Sequence, residues 1–299
     1  MGPGCGKARR DSDISQGAGR AMTKEKLVYR GKSKDVYEIA GGKYAGKYRM
    51  VFTDRATGYI ENGKPVFDPG RDIVVGEIPG KGAVACRFAT YFFRLLKDRG
   101  IASHFIDSPA ENEMIVEPAL PIGMEEAAPE YAGSAPLANL EFTWRNNAQG
   151  SFWRRYSFVK PCGKLNCLIE AWTKGESDTL ITFESLEDTG VLARSEIAQV
   201  RALVKEVAEV VTADMASREL HVIDGKFELG RLRDGDGRIV IIDEISPDVL
   251  RVCRGYSPDE SGDCKIHPEC ISTRFEEGRR SISAKNQLSA EELRKVYVI

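Results

Sequence analysis

The alternation of apolar and polar positions divides the chain into strand-like and helix-like stretches. Residues Lys26–Ile39, KLVYRGKSKDVYEI, read as strand, glycine turn, strand, with Lys32 and Lys34 on one strand face. Tyr48–Asp54, YRMVFTD, reads as the third strand of an antiparallel meander. Lys64–Gly80 is rich in Gly and Pro and reads as a loop. Over Gly82–Arg99 the spacing of Val84, Phe88, Tyr91, Phe92, Leu95 and Leu96 predicts a helix that Gly100 ends. A strand closing at Glu117 is followed by Pro118 and Pro121, which places a boundary between a small lobe, 25–117, and a larger lobe, 118–299.

The larger lobe opens with a polar insertion, Glu125–Ala138. A strand carrying Arg145 follows, then a Gly150–Ser151 turn that can start a helix beside Arg154 and Arg155. That grouping makes an anion site plausible, against the plainer reading of a basic surface turn. Trp172–Glu187 reads as an acidic loop. Ser195–Arg218 is the longest predicted helix, with Ser195 as N-cap and Ile197, Val200, Leu203, Val204, Val207, Val210 and Val211 along its buried stripe. Beyond Ser257 the one helix candidate is Ser289–Val296.

Between the long helix and that tail lies Phe227–Asp248, where FELGRLR and RIVIIDEI flank an Asp-Gly-Asp-Gly stretch, a strong hairpin signal. A tip at Gly235–Asp236, or a four-residue loop Asp234–Gly237, sets Glu228 directly across from Asp243, with Lys226 on the same face. Opposed carboxylates destabilise a bare strand pair. They ask for a cation, and hard oxygen ligands suit Mg²⁺ carried by phosphates, with Lys226 placed to touch phosphate. The competing reading is an exposed hairpin with solvated charges.

Composition narrows the classes. The 299 residues allow a large core and two domains. A net charge of −2 gives no general attraction to nucleic acid, so anions must be met by local Lys and Arg. No apolar run is long enough for a bilayer. The opening residues 1–24 are Gly-rich and polar, an expected disordered extension without a secretory apolar core, and a cytoplasmic protein follows. The seven cysteines are scattered and odd in number, as free thiols in a reducing compartment would be. Cys264, His267 and Cys270 are spaced for a metal but are also readable as unpaired thiols. Only three histidines are present, so a histidine base is not suggested.

Taken in order, Gly31-Lys32-Ser33-Lys34 with Tyr37, Arg145–Ser151 with Arg154 and Arg155, and Lys226-Phe227-Glu228 followed by Asp243–Asp248 and Arg251 resemble the SAICAR synthetase (phosphoribosylaminoimidazole-succinocarboxamide synthase) family. The resemblance runs from about Lys26 to Arg251. It implies a two-lobed α+β fold, ATP-grasp-like, with ATP in the cleft. It implies an ATP-dependent carboxylate–amine ligase of purine biosynthesis that joins carboxyaminoimidazole ribonucleotide to L-aspartate. By the same resemblance Lys32, Lys34 and Lys226 contact ATP phosphates, and Glu228 and Asp243 bind Mg²⁺. With Lys226, these two acids form the catalytic set. Arg145, Ser151 and Arg251 take the ribonucleotide phosphate, Lys81 faces the cleft, and Asp178 falls near a family metal-site aspartate. The implied partners are small molecules, with no nucleic acid and no membrane, and a homo-oligomer is admitted.

The chain departs from the family pattern where Ile60 replaces an expected aspartate and where Ala85 and Cys86 replace the asparagines that follow Lys81-Gly82 in many members. Those departures leave open a relative acting on another heterocyclic carboxylate, as in a purine-like antibiotic pathway. A small-molecule kinase on the same scaffold is the second alternative, and a catalytically inactive ATP-binding protein the third.

Overall fold

The computed structural model describes residues 25–67, 73–123, 139–160, 162–174, 178–218, 220–233 and 236–253. The expected N-terminal extension, the polar insertion, the Cys264–Cys270 cluster and the late helix lie outside the described residues, the insertion's neighbour Asn139 being described.

Strands β1 (Glu25–Arg30), β2 (Lys34–Ile39) and β3 (Tyr48–Phe52) form the meander, and β4 (Arg55–Glu61), β5 (Lys64–Phe67) and β6 (Ile73–Glu77) follow. Helix α1 (Lys81–Asp98) leads to β7 (Phe105–Ala110) and β8 (Glu113–Val116). The first sheet has the order β1-β2-β3-β8-β7, and a small second sheet the order β5-β4-β6. That second sheet corrects the loop expected over Lys64–Gly80. Pro65 sits on an outer strand, the place in a sheet that tolerates proline, and Gly63, at φ 74°, turns the chain between β4 and β5. Lys32 also departs from expectation. It lies in the turn that Gly31 N–H closes onto Lys34 O at 2.7 Å, so it is exposed in the turn while Lys34 opens β2 and is buried.

The chain changes sheets around Pro118. After it, β9 (Ala119–Pro121), β10 (Leu140–Asn147), α2 (Ser151–Arg155), β11 (Lys164–Thr173), β12 (Thr179–Ile181), α3 (Phe183–Asp188), α4 (Arg194–Ala216), β13 (His221–Leu232), β14 (Ile239–Ile242) and β15 (Leu250–Cys253) build the larger sheet. Its order is β12-β11-β10-β13-β14, with β15 and β9 also on β13. The acidic loop expected over Trp172–Glu187 is therefore the end of β11, then β12 and α3. Thr182 caps α3 by accepting from Ser185 N–H. Short elements with alternating charge carry little periodic signal, which is why the pattern missed them.

Helix α4 buries Ile197, Val200, Val204, Val207, Val210 and Val211, each worth about 1.5–3 kcal/mol relative to exposure, whereas Leu203, expected on the same stripe, is only partly buried. Its N-cap is Ala193 rather than Ser195: the Glu196 carboxylate accepts from the Ala193 backbone N–H at 2.8 Å and fixes the start two residues earlier. Tyr91 of α1 donates to Asp214 of α4 at 2.5 Å and accepts from Arg218 at 2.8 Å, tying the two helices together. Ser103 bridges Ile241 and His104 N–H donates to Ile241 O at 3.1 Å, joining the first part of the chain to β14. Cys162 is disulfide-bonded, which corrects the expectation of free thiols throughout, whereas Cys86 and Cys167 are free. Among the described residues no helix is long and apolar enough to cross a membrane.

Candidate active site

One face of the large sheet carries the charge. In β10, Leu140, Phe142 and Trp144 alternate with Glu141, Thr143 and Arg145. The even-numbered face meets α4, where Asn146 donates to Thr212 at 3.2 Å. The odd-numbered face is polar, and strand register fixes its layout. Thr143 lies between Glu170 of β11 and Lys226 of β13, and Arg145 lies opposite Asp224, which in turn pairs with Arg251 of β15. Glu141 and Arg145 are four positions apart in the strand, so the two ends of this face are about 13 Å apart.

At one end three expected residues converge. Arg145 Nη2 donates to Ser151 Oγ at 3.0 Å and Nη1 to Asp224 at 2.8 Å, while its Nε donates to Glu170 at 2.9 Å. Arg251 Nε donates to the other oxygen of Asp224 at 2.6 Å. Gly150 holds φ 60°, and a Cβ there would meet the Arg251 guanidinium at 2.7 Å, so only Gly admits this approach. Arg155 stacks on Trp172, 4.5 Å from ring centroid to guanidinium, and binds Glu170.

The other end holds the carboxylates. The hairpin register differs from the expected one: Glu228 pairs with Ile242, not Asp243. Its loop is five residues, 233–237, because Arg233 N–H bonds Pro118 O beside β9 instead of closing onto β14. Strict alternation would then separate the two acids. Asp243 escapes it by adopting φ 65°, a left-handed conformation that Asp tolerates better than most residues. It thereby joins the electrostatic cluster of Glu228.

Lysines close this cluster. Lys34 Nζ lies 2.8 Å from Asp243 and also bonds Glu244. Lys174 Nζ bonds Glu228 and lies 3.0 Å from Glu141, and Lys226 Nζ lies 2.6 Å from Glu141. Asn139 Nδ2 donates to the second Glu228 oxygen at 2.6 Å. Lys81, the first residue of α1, is buried against Asp248, and Asp54 accepts from the Gly80 and Gly82 N–H groups at that helix start. Burial and the neighbouring Asp243 push the Glu228 carboxyl up. Burial also opposes ionisation of Asp243, but Lys34 and Lys174 outweigh it and hold that carboxyl below its ordinary value. Burial works against the Lys34 and Lys174 ammoniums, yet the facing carboxylates hold both above the usual lysine range. His104 is buried and hydrogen-bonds the Asp243 backbone; burial lowers its pKa to about 4, so it is neutral.

The donor set fits Mg²⁺ supplied with a phosphate ligand. Among the described residues no cluster of three or more His, Cys, Asp or Glu could hold a metal by itself. The protein thus offers two carboxylates, and Asn139 Oδ1, buried without a partner, is a further oxygen beside Glu228. A cation that keeps waters and takes phosphate oxygens needs no more.

Glu141, Asn139, Lys174, Asp224 and Glu170 were not singled out from the sequence. The alternation Glu141-Thr143-Arg145 could have found the first; Lys174 follows a strand end and reaches Glu228 only through the fold. Asp178 is exposed just before β12. Of the departures, Ala85 and Cys86 are core residues of α1, with burial raising the Cys86 thiol to about 11, so neither presents a side chain to a ligand. Ile60 is exposed on β4.

Small antiparallel sheets and a larger α+β part, with one charged sheet face that gathers guanidiniums at one end and carboxylates with lysines at the other, define the class of fold. The chain belongs to the SAICAR synthetase family, whose model matches residues 27–264. Members of that family are ATP-dependent carboxylate–amine ligases of purine biosynthesis. The phosphoribosylaminoimidazole-succinocarboxamide synthase of Clostridium tetani is 34% identical over 229 residues, covering 75% of this chain and 91% of its own length. That of Deinococcus deserti is 26% identical over 277 residues, covering 92% and 98%. The crystal structure of the Ehrlichia chaffeensis enzyme matches with a TM-score of 0.67 at 19% identity, covering 91% of this chain and 96% of its own. A type-2 SAICAR synthetase structure in complex with ADP matches at a TM-score of 0.65 and 22% identity, covering 90% and 95%. At those identities the structures speak to the fold.

Proposed function

We propose that the protein joins the carboxylate of carboxyaminoimidazole ribonucleotide to the amine of L-aspartate while converting ATP to ADP and phosphate. A carboxylate does not condense with an amine at neutral pH, because hydroxide is a poor leaving group. The carboxylate oxygen attacks the γ-phosphorus of ATP, ADP departs, and an acyl phosphate results. The aspartate amine attacks the acyl carbon, phosphate leaves, the nitrogen loses a proton, and the amide remains.

The observation that carries this reading is the sheet face, with paired arginines at one end and the carboxylate–lysine cluster about 13 Å away. Arg145, Ser151 and Arg251 hold the ribonucleotide phosphate and fix the reach of its carboxylate. Lys32, Lys34 and Lys226 bind the ATP phosphates, and Lys81 lines the cleft at the start of α1. Glu228 and Asp243 would hold Mg²⁺, which when bound neutralises charge on the transferring phosphoryl group. Placing these groups beforehand removes the cost of orienting them during the reaction. We take 25–117 as the small nucleotide-binding lobe, 118–299 as the larger substrate-binding lobe, and the cytoplasm as the site of the reaction. Product analysis tests the assignment: the succinocarboxamide ribonucleotide and ADP should form in equal amounts. A phosphorylated ribonucleotide formed without aspartate would instead identify a kinase.

A further inference from the structure

Both metal-site carboxylates are already occupied by the protein's own cations. One Glu228 oxygen is held by Lys174 and the other by Asn139 Nδ2 at 2.6 Å. Asp243 is held by Lys34 at 2.8 Å. A divalent ion on these oxygens would lie beside ammonium groups already within hydrogen-bond distance of them, and its charge would drive those groups away. A displaced ammonium in a partly buried site needs another anion, since leaving it unpaired costs several kcal/mol. Lys174 retains Glu141 at 3.0 Å, but Lys226 already shares that same oxygen at 2.6 Å. Lys34 retains Glu244.

We propose that Lys174, with Lys34, is a placeholder that closes the metal site until a polyphosphate arrives, so that divalent ion and nucleotide enter as one strongly coupled pair. The inference rests on Glu228 and Asp243 being the metal ligands. The triphosphate supplies the oxygens that receive the displaced ammoniums, while the ion takes the carboxylates. Two consequences follow from linkage: the ion alone binds weakly, and ion and nucleotide strengthen each other by the same factor. The device would keep a free metal from occupying the site unproductively and would keep bare nucleotide from meeting two uncompensated acids.

The experiment measures Mn²⁺ binding by paramagnetic resonance, without and with saturating ADP, for the wild type, Lys174→Met, Lys226→Met and Glu228→Gln. Methionine keeps an unbranched apolar stem at position 174, which is partly exposed. The proposal expects Lys174→Met to tighten Mn²⁺ alone by about 5-fold or more while the ADP-induced gain shrinks by a similar factor. Lys226→Met, which leaves Glu141 to Lys174 alone, should tighten Mn²⁺ without nucleotide less than Lys174→Met does and should weaken ADP. Equal tightening with and without ADP in Lys174→Met would reduce the lysine to a nearby charge and overturn the proposal, as would no change at all. If the wild type binds Mn²⁺ in neither condition, or Glu228→Gln binds it as well as the wild type does, the metal assignment itself fails. Lys34→Met, read the same way, serves if the Lys174 variant does not fold.

Discussion

Arg251 makes a two-point contact with Asp224, donating from Nε to Oδ1 at 2.6 Å and from Nη2 to Oδ2. Arg145 reaches Oδ2 of the same carboxylate at 2.8 Å. One acid thus holds two guanidiniums from different strands together, and the proposed function assigns both to the ribonucleotide phosphate. Arg251→Met should raise the KM for the ribonucleotide by ~100-fold, about 3 kcal/mol, with a smaller change in kcat. Steady-state kinetics with the ribonucleotide varied would show this; an unchanged KM would remove Arg251 from phosphate binding.

Asp224 itself is structural as well as orienting. It is 5% exposed, and its partner Arg145 is 4% exposed. Asp224→Ala leaves a buried guanidinium short of a partner. Urea unfolding should lose about 3 kcal/mol. A loss below about 1 kcal/mol would mean that Glu170 and Ser151 suffice for Arg145.

Glu228→Gln and Asp243→Asn test the carboxylates without disturbing shape. Asn tolerates the left-handed backbone that Asp243 adopts at φ 65°. Each substitution should lower kcat by ~100-fold or more in a protein that still unfolds cooperatively, Asp243→Asn with a lower melting temperature because it gives up the Lys34 pair. Asp243→Val would add backbone strain and lower the melting temperature as well, because a β-branched residue resists positive φ.

The start of α4 makes stability depend on acid. Burial opposes ionisation of Glu196, but the Ala193 N–H and Arg231 outweigh it and hold the carboxyl below its ordinary value. A carboxyl depressed in the folded state contributes stability at neutral pH. That contribution is lost as pH falls from the ordinary glutamate range through the depressed value. Glu196→Gln should cost about 0.3–1 kcal/mol at pH 7 and flatten the acid limb of a melting-temperature profile. A variant that loses as much stability at pH 3 as at pH 7 would contradict the assignment.

What is periodic or contiguous in the chain was legible in the sequence. The stripes of α1 and α4 follow from 3.6-residue spacing, and the meander from alternation. Arg145, Ser151 and Arg251 meet as the family resemblance implied. Lys32 and Lys34 did not share a strand face, because the Gly31 turn ends at Lys34. The Glu228 hairpin was legible as a hairpin, but its register was not: a one-residue difference in loop length depends on Pro118, more than a hundred positions away in the chain. Two changes then offset each other, the shifted register and the left-handed Asp243, so the carboxylates gathered by a route that alternation alone excludes. Lys174 and Asn139 could not be found locally, since their role exists only where β10, β11 and β13 lie side by side.

The central claim is that Glu228 and Asp243 serve an ATP-driven condensation of a ribonucleotide carboxylate with aspartate. The most direct measurement is the initial rate of ADP release with carboxyaminoimidazole ribonucleotide, with and without L-aspartate, in wild type, Glu228→Gln and Asp243→Asn. The account predicts rapid aspartate-dependent release matched by amide formation in the wild type, and release reduced ~100-fold or more in both variants. Near-wild-type, aspartate-dependent ADP release in both variants would contradict it.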